Sequence, residues 1–226
     1  ECEPTNPARR CTPLSIANHS LHENSSPIHH IEPGGMLDTS DCRFDAVSDR
    51  AVRISGTRWT PDDRYTVKLE GAELVGYRAI CVCGTRDPLL IGRLDNFLES
   101  VRAEVATKSL NFGVNPDAYK LGIRVYGRDG VMGAREPMRG ALPHELGFVI
   151  EVVAKESQEI ASAVLGVARA NMLHTDFPGR LCREGNMAFP FSPSDIEVGP
   201  MYRFSVFHTV ELDDPTELFP IEYETI

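Results

Sequence analysis

The chain has 226 residues, 42% of them hydrophobic and 25% charged, ordinary proportions for a globular protein with a sizeable core. A formal charge of −10 argues against a nucleic-acid partner, because a phosphate footprint needs a basic stripe. No apolar run approaches the ~18 residues of a membrane span, so no membrane partner is expected.

The opening does not read as a signal peptide. It starts at Glu1 without an initiator Met, so the chain reads as a fragment or as one piece of a longer polypeptide. The cysteines are Cys2, Cys11, Cys42, Cys81, Cys83 and Cys182. None forms a C-x-x-C pair, so no zinc ribbon is indicated. Cys81 and Cys83 are two apart on a strand and read as small buried hydrophobes. Cysteines spread in this way, without secretory signals, imply a reducing cytosol and a cytoplasmic location.

Residues 1–35 read as an irregular arm with one short helix, Leu14–Glu23, started by Thr12-Pro13. His19 and His22 lie three apart on that helix. No acidic or cysteine ligand follows at fixed spacing, so they read as surface or interface histidines and no metal site is assigned. Pro33-Gly34-Gly35 marks a turn. Residues 36–73 read as β-rich: a hairpin of Cys42–Val47 and Ala51–Thr57, then a strand Tyr65–Leu69 that Glu70–Glu73 turns back.

Residues 74–212 carry the order strand, helix, strand, strand, helix, strand. The strands are Leu74–Cys83, Lys120–Tyr126, Leu146–Ala154 and Tyr202–Leu212. The first helix starts at Asp87-Pro88, an N-cap followed by proline, and runs to about Thr107. Its apolar stripe is Leu90, Leu94, Phe97, Leu98, Val101 and Val105. Ser157 caps the second helix, which runs to about His174 with Ile160, Val164, Val167 and Ala168 as its stripe. The fold class is therefore α+β: a ferredoxin-like split βαβ two-layer sandwich, preceded by the β-rich segment and followed by a tail at 213–226. The expected sheet order is fourth, first, third, second strand, all antiparallel, with both helices on one face.

In this order the loops after the first strand, after the second strand and after the second helix leave the same end of the sheet. They are Gly84–Asp87, Gly127–His144 and Thr175–Pro200, and the last two are long for a compact domain. The first places Arg86 at a helix N-terminus, an anion site unless Asp87 simply caps the helix and pairs with Arg86. In the second, Arg128 could bind an anion, and His144 with Asp129 could act as acid and base. The third holds His174, Asp176 and Asn186, whose amide could polarise a carbonyl or merely occupy a turn. Cys182 near His174 reads as an ordinary loop cysteine. No P-loop, nucleophile elbow, dinucleotide fingerprint or metalloprotease motif is present.

Several runs resemble the acyclic terpene utilisation (AtuA-like) family. They are Tyr65-Thr-Val-Lys-Leu-Glu-Gly-Ala72 with Val75-Gly-Tyr-Arg78, Arg86-Asp-Pro88, Val125-Tyr-Gly-Arg128 with Val131-Met-Gly133, and Asn171-Met-Leu-His174 with Phe177-Pro-Gly179 and Gly185-Asn186. Pro33-Gly-Gly35 and Phe204-Ser-Val-Phe-His208 fit as well. The resemblance covers about Thr12 to Leu212 and is to the family's C-terminal half. It implies a component of a lyase or hydratase acting on branched carboxylic acids or their acyl-CoA thioesters. It also implies a second chain or domain matching the N-terminal half, and an oligomer. No cofactor and no catalytic residue carries over from it. From the residues themselves, Arg86, Arg128 and Asn186 are the substrate-binding candidates, and His144, His174 and Asp176 the catalytic ones. The alternative is a non-catalytic interaction domain that completes or oligomerises a catalytic partner.

Overall fold

The computed structural model describes residues 1–226 except 23, 25, 182–184, 215 and 226. In chain order the elements are α1 (Pro13–Ser20), β1 (His29–Glu32), β2 (Gly35–Asp38), β3 (Arg43–Ala46), β4 (Val52–Ser55), β5 (Arg58–Pro61), β6 (Thr66–Thr85), α2 (Pro88–Ile91), α3 (Leu94–Asn111), β7 (Tyr119–Tyr126), β8 (Leu146–Ala154), α4 (Gln158–His174) and β9 (Asp195–Glu211). The protein is α+β. It forms two compact units, one of Glu1–Ala72 with Phe204–Ile226 and one of Glu73–Arg203. The division expected from sequence kept 74–212 together; here the second unit ends at Arg203, and the tail joins the N-terminal residues. Among the described residues, no helix is long and apolar enough to cross a membrane.

In the first unit, Thr12 and Ser15 exchange side-chain and backbone hydrogen bonds in a capping box that starts α1. Two small antiparallel sheets follow, β1-β2-β5 and β3-β4. The β1–β2 turn needs a left-handed residue, and Gly34 supplies it at φ 82°. The arm expected to be irregular thus contains a hairpin, and β5 was not expected at all. Strands of four residues leave too short an alternation to be read from sequence.

In the second unit the sheet order is β7-β8-β6-β9, the expected order read from the other edge. Tyr77–Thr85 pairs antiparallel with Leu146–Ala154, which pairs antiparallel with β7 on its other side. Burial along β8 alternates strictly, so one face is sealed and the other half-open. Ala79, Cys81, Phe148, Ile150 and Val152 on the sealed face pack with Leu94, Phe97 and Val101 of α3 and Val164, Leu165 and Ala168 of α4. On the half-open face, Glu151 holds Arg78 at 2.7 Å and Arg124 at 3.3 Å.

Four details differ from expectation. The first helix breaks at Gly92-Arg93 into α2 and α3, because glycine is a poor helix former just where one turn has closed. The turn expected at Glu70–Glu73 is instead continuous strand. Gly71 is there for close approach: a Cβ on it would lie 3.3 Å from the Val206 Cβ. The buried stripe of α4 keeps the expected Val164 and Ala168 but is completed by Ala161, Leu165 and Met172 instead of Ile160 and Val167. Ile160 and Val167 are accordingly only partly buried, as is Leu98 on α3. Finally, β9 begins at Asp195, which shortens the third loop.

Candidate functional site

All six candidate residues fall in the second unit, and the chain reaches them by three routes. The first is the end of β6. Thr85 is buried there, and its hydroxyl accepts from the Asp87 N–H at 3.2 Å. Asp87 Oδ1 accepts from the N–H groups of Leu89 at 2.8 Å and Leu90 at 3.3 Å. The start of α2 is thereby capped by its own carboxylate, and a four-residue helix offers no further anion site. Arg86 does not pair with Asp87. It is exposed and makes no hydrogen bond or ion pair among the described residues.

The second route is the loop between α4 and β9. Gly84 and Ala188 exchange backbone hydrogen bonds at 2.9 and 2.8 Å, which straps residues 185–189 to the end of β6. Asn186 is thus carried to Asp87, and its Nδ2 donates to Asp87 Oδ2 at 2.6 Å. Its amide is spent on that carboxylate rather than left to polarise a substrate carbonyl. The strap leaves a cleft of about 420 Å³ between Arg86, Asn186, Glu145, Leu146 and the backbone of Gly84 and Gly147.

The third route is the loop after β7. Arg128 is only 13% exposed at its side chain and donates to Asp95 Oδ1 at 2.6 Å. Arg139 reaches Asp129 at 2.9 Å, and Arg128 lies 3.7 Å from the same carboxylate. Asp95, Arg128 and Arg139 line a second cleft, of about 600 Å³, which shares Leu146 with the first. Asp129 is therefore held by arginines and is not paired with His144. His144 is 78% exposed at its side chain, with Glu145 4.0 Å away.

His174 ends α4 and is exposed, as is Asp176. The His174 carbonyl accepts from Arg180 Nη1 at 2.5 Å, and Arg180 also donates to the carbonyls of Thr175 and Leu173. Arg180 therefore satisfies the open carbonyls at the helix end, where a cation also suits the dipole. It was not singled out from sequence, although a basic residue just past a helix is a known end signal. Cys182 lies outside the described residues.

The structure thus brings Arg86 and Asn186 to one cleft and puts Arg128 in the next. His144, His174 and Asp176 stand in solvent. The sealed thiols beneath are inert: burial pushes Cys81 up to about 11 and Cys83 up to about 12. Among the described residues no group of three or more His, Cys, Asp or Glu side chains could hold a metal ion. No protein-family model matches this chain, and neither a curated protein nor a solved structure matches it.

Proposed function

We propose that this chain is one component of a lyase or hydratase of the acyclic terpene utilisation type, acting on branched carboxylic acids or their acyl-CoA thioesters. Its part is to hold the anionic end of the substrate. The observation that carries this reading is Arg86: an exposed guanidinium on a cleft of about 420 Å³, with no carboxylate partner among the described residues. Arg128, by contrast, is already spent on Asp95. A guanidinium grips a carboxylate or phosphate through two parallel hydrogen bonds, so a free one at a cleft is suited to such a ligand. Glu145 on the cleft wall is the proton-handling group that lines this cleft. A second chain or domain supplies the rest of the active site, and the assembly is oligomeric. The cytoplasm is the proposed location, since the five described cysteines are free thiols, the state a reducing compartment maintains.

The test uses Arg86→Ala in the chain assembled with its natural second polypeptide. Turnover and affinity for a branched acyl-CoA should fall at least tenfold, the effect of losing a charge-assisted contact. The melting temperature should not move, because Arg86 holds nothing else. Unchanged turnover, or a fall in stability in step with activity, rejects the reading.

A second reading is a non-catalytic interaction domain. It is favoured by the loop after β7, which holds Val131 83% and Leu142 79% exposed, with Met132 and Met138 also open. Apolar side chains gathered at a surface mark a contact with another protein. Failure of any second polypeptide to co-purify would count against it.

A further inference from the structure

A different cavity lies in the first unit and is independent of the Arg86 cleft. It is a crevice of about 200 Å³ between residues of β1 and of β9, with Lys68 of β6 at its side. At about 30 Å³ per water, that is room for roughly six or seven water-sized groups. Its polar lining sets the Lys68 ammonium and the imidazoles of His29 and His208 beside one carboxylate, that of Glu32. His30 is buried, with its Nε2 3.2 Å from the Thr39 hydroxyl, and so forms a fixed wall.

Lys68 forms two long ion pairs, its Nζ 3.6 Å from Glu32 and 3.9 Å from Glu70. Both are beyond good hydrogen-bond length, so a ligand carboxylate would compete with Glu32 for the ammonium. The Lys68 Nζ sits 4.4 Å over the Phe207 ring, which fixes the ammonium at the crevice edge by a cation–π contact. A ring and Ile31 supply apolar wall beside it. From these features we infer that the crevice binds a short monocarboxylate, its head on Lys68 and its alkyl end against Phe207 and Ile31. The cavity volume matches a branched acid of about six non-hydrogen atoms.

The experiment titrates isobutyrate into the whole chain and follows the His30 and His208 ring signals by NMR. Saturable shifts are expected. The neutral isostere isobutyramide and inorganic phosphate should bind at least about tenfold more weakly, because one lacks the charge and the other the alkyl end. Lys68→Met should weaken isobutyrate by a similar factor. Glu32→Gln, which removes a competitor for Lys68, should tighten it about threefold. Absence of saturation with isobutyrate overturns the proposal, as does an equal response to isobutyramide. Phosphate binding as tightly as isobutyrate overturns the monocarboxylate assignment. Should Lys68→Met fail to fold, unchanged affinity in Glu32→Gln overturns the contact with Lys68.

Discussion

The Asn186 amide and the Asp87 carboxylate, ninety-nine positions apart in sequence, meet at 2.6 Å, while the other oxygen of Asp87 caps α2. One carboxylate therefore both starts a helix and anchors a loop. Asp87→Ala should cost roughly 1–2 kcal/mol, the loss of a cap together with a charge-assisted bond. Asn186→Ala should cost less, since the cap survives. Denaturant unfolding of both single variants and the double variant should return a coupling of about 0.5 kcal/mol or more. Strict additivity would mean that the loop is held by its backbone bridge to Gly84 alone.

Phe97 is buried under the sheet and meets Phe177 edge-to-face at a centroid distance of 6.0 Å. Phe97→Ala should destabilise the second unit by roughly 3–5 kcal/mol through lost burial and a residual cavity. A loss below about 1 kcal/mol in a denaturant melt, the range of surface sites, would show that α3 packs differently.

Ser109 is fully buried on α3, and its hydroxyl has no hydrogen-bond partner among the described residues. Such a group costs about 1–3 kcal/mol in the folded state. Ser109→Ala removes that cost and improves helix propensity, so it should raise stability by about 1 kcal/mol. A destabilised variant would point to an unseen partner, such as a buried water.

Cys81 and Cys83 should resist iodoacetamide at pH 8 in the folded chain and react only after denaturation, as read by peptide mass spectrometry. The folded thiols titrate at about 11 and about 12 against an ordinary 9.0. Folding thus retains protons that the unfolded chain releases. The contribution of these thiols is whole below pH 9 and is lost as pH rises towards the folded values. A Cys81→Ala/Cys83→Ala variant should therefore lose less stability than wild type between pH 9 and 11. Equal losses would mean that other groups set the alkaline limit.

Long periodic elements were legible before the structure; short or context-driven ones were not. β8 alternates over nine residues, which marked it as a strand with one buried face, and the order of the elements supplied its neighbours. β1, β2 and β5 are four residues each, too short for periodicity to speak. Gly71 read as a turn because glycine signals both turns and close approach, and only the position of Val206 decides between them. At the candidate site, topology gathered six residues at one end of the sheet, and of these only Arg86 and Asn186 line a common cleft. It could not tell that Asp95 would claim Arg128, because that ion pair depends on side-chain reach from an element distant in sequence. His144 and His174 looked like acid–base candidates on residue type alone, which says nothing of exposure.

The first unit is interrupted: residues 73–203 fall between its two sequence segments. A ribosome moving from the N-terminus would finish every residue of the inserted unit before making Phe204, where the first unit resumes. The inserted unit can therefore fold while still tethered, whereas the first must wait for its closing strand residues and tail. A stop codon just after Arg203 would spare one unit and leave the other without its second segment.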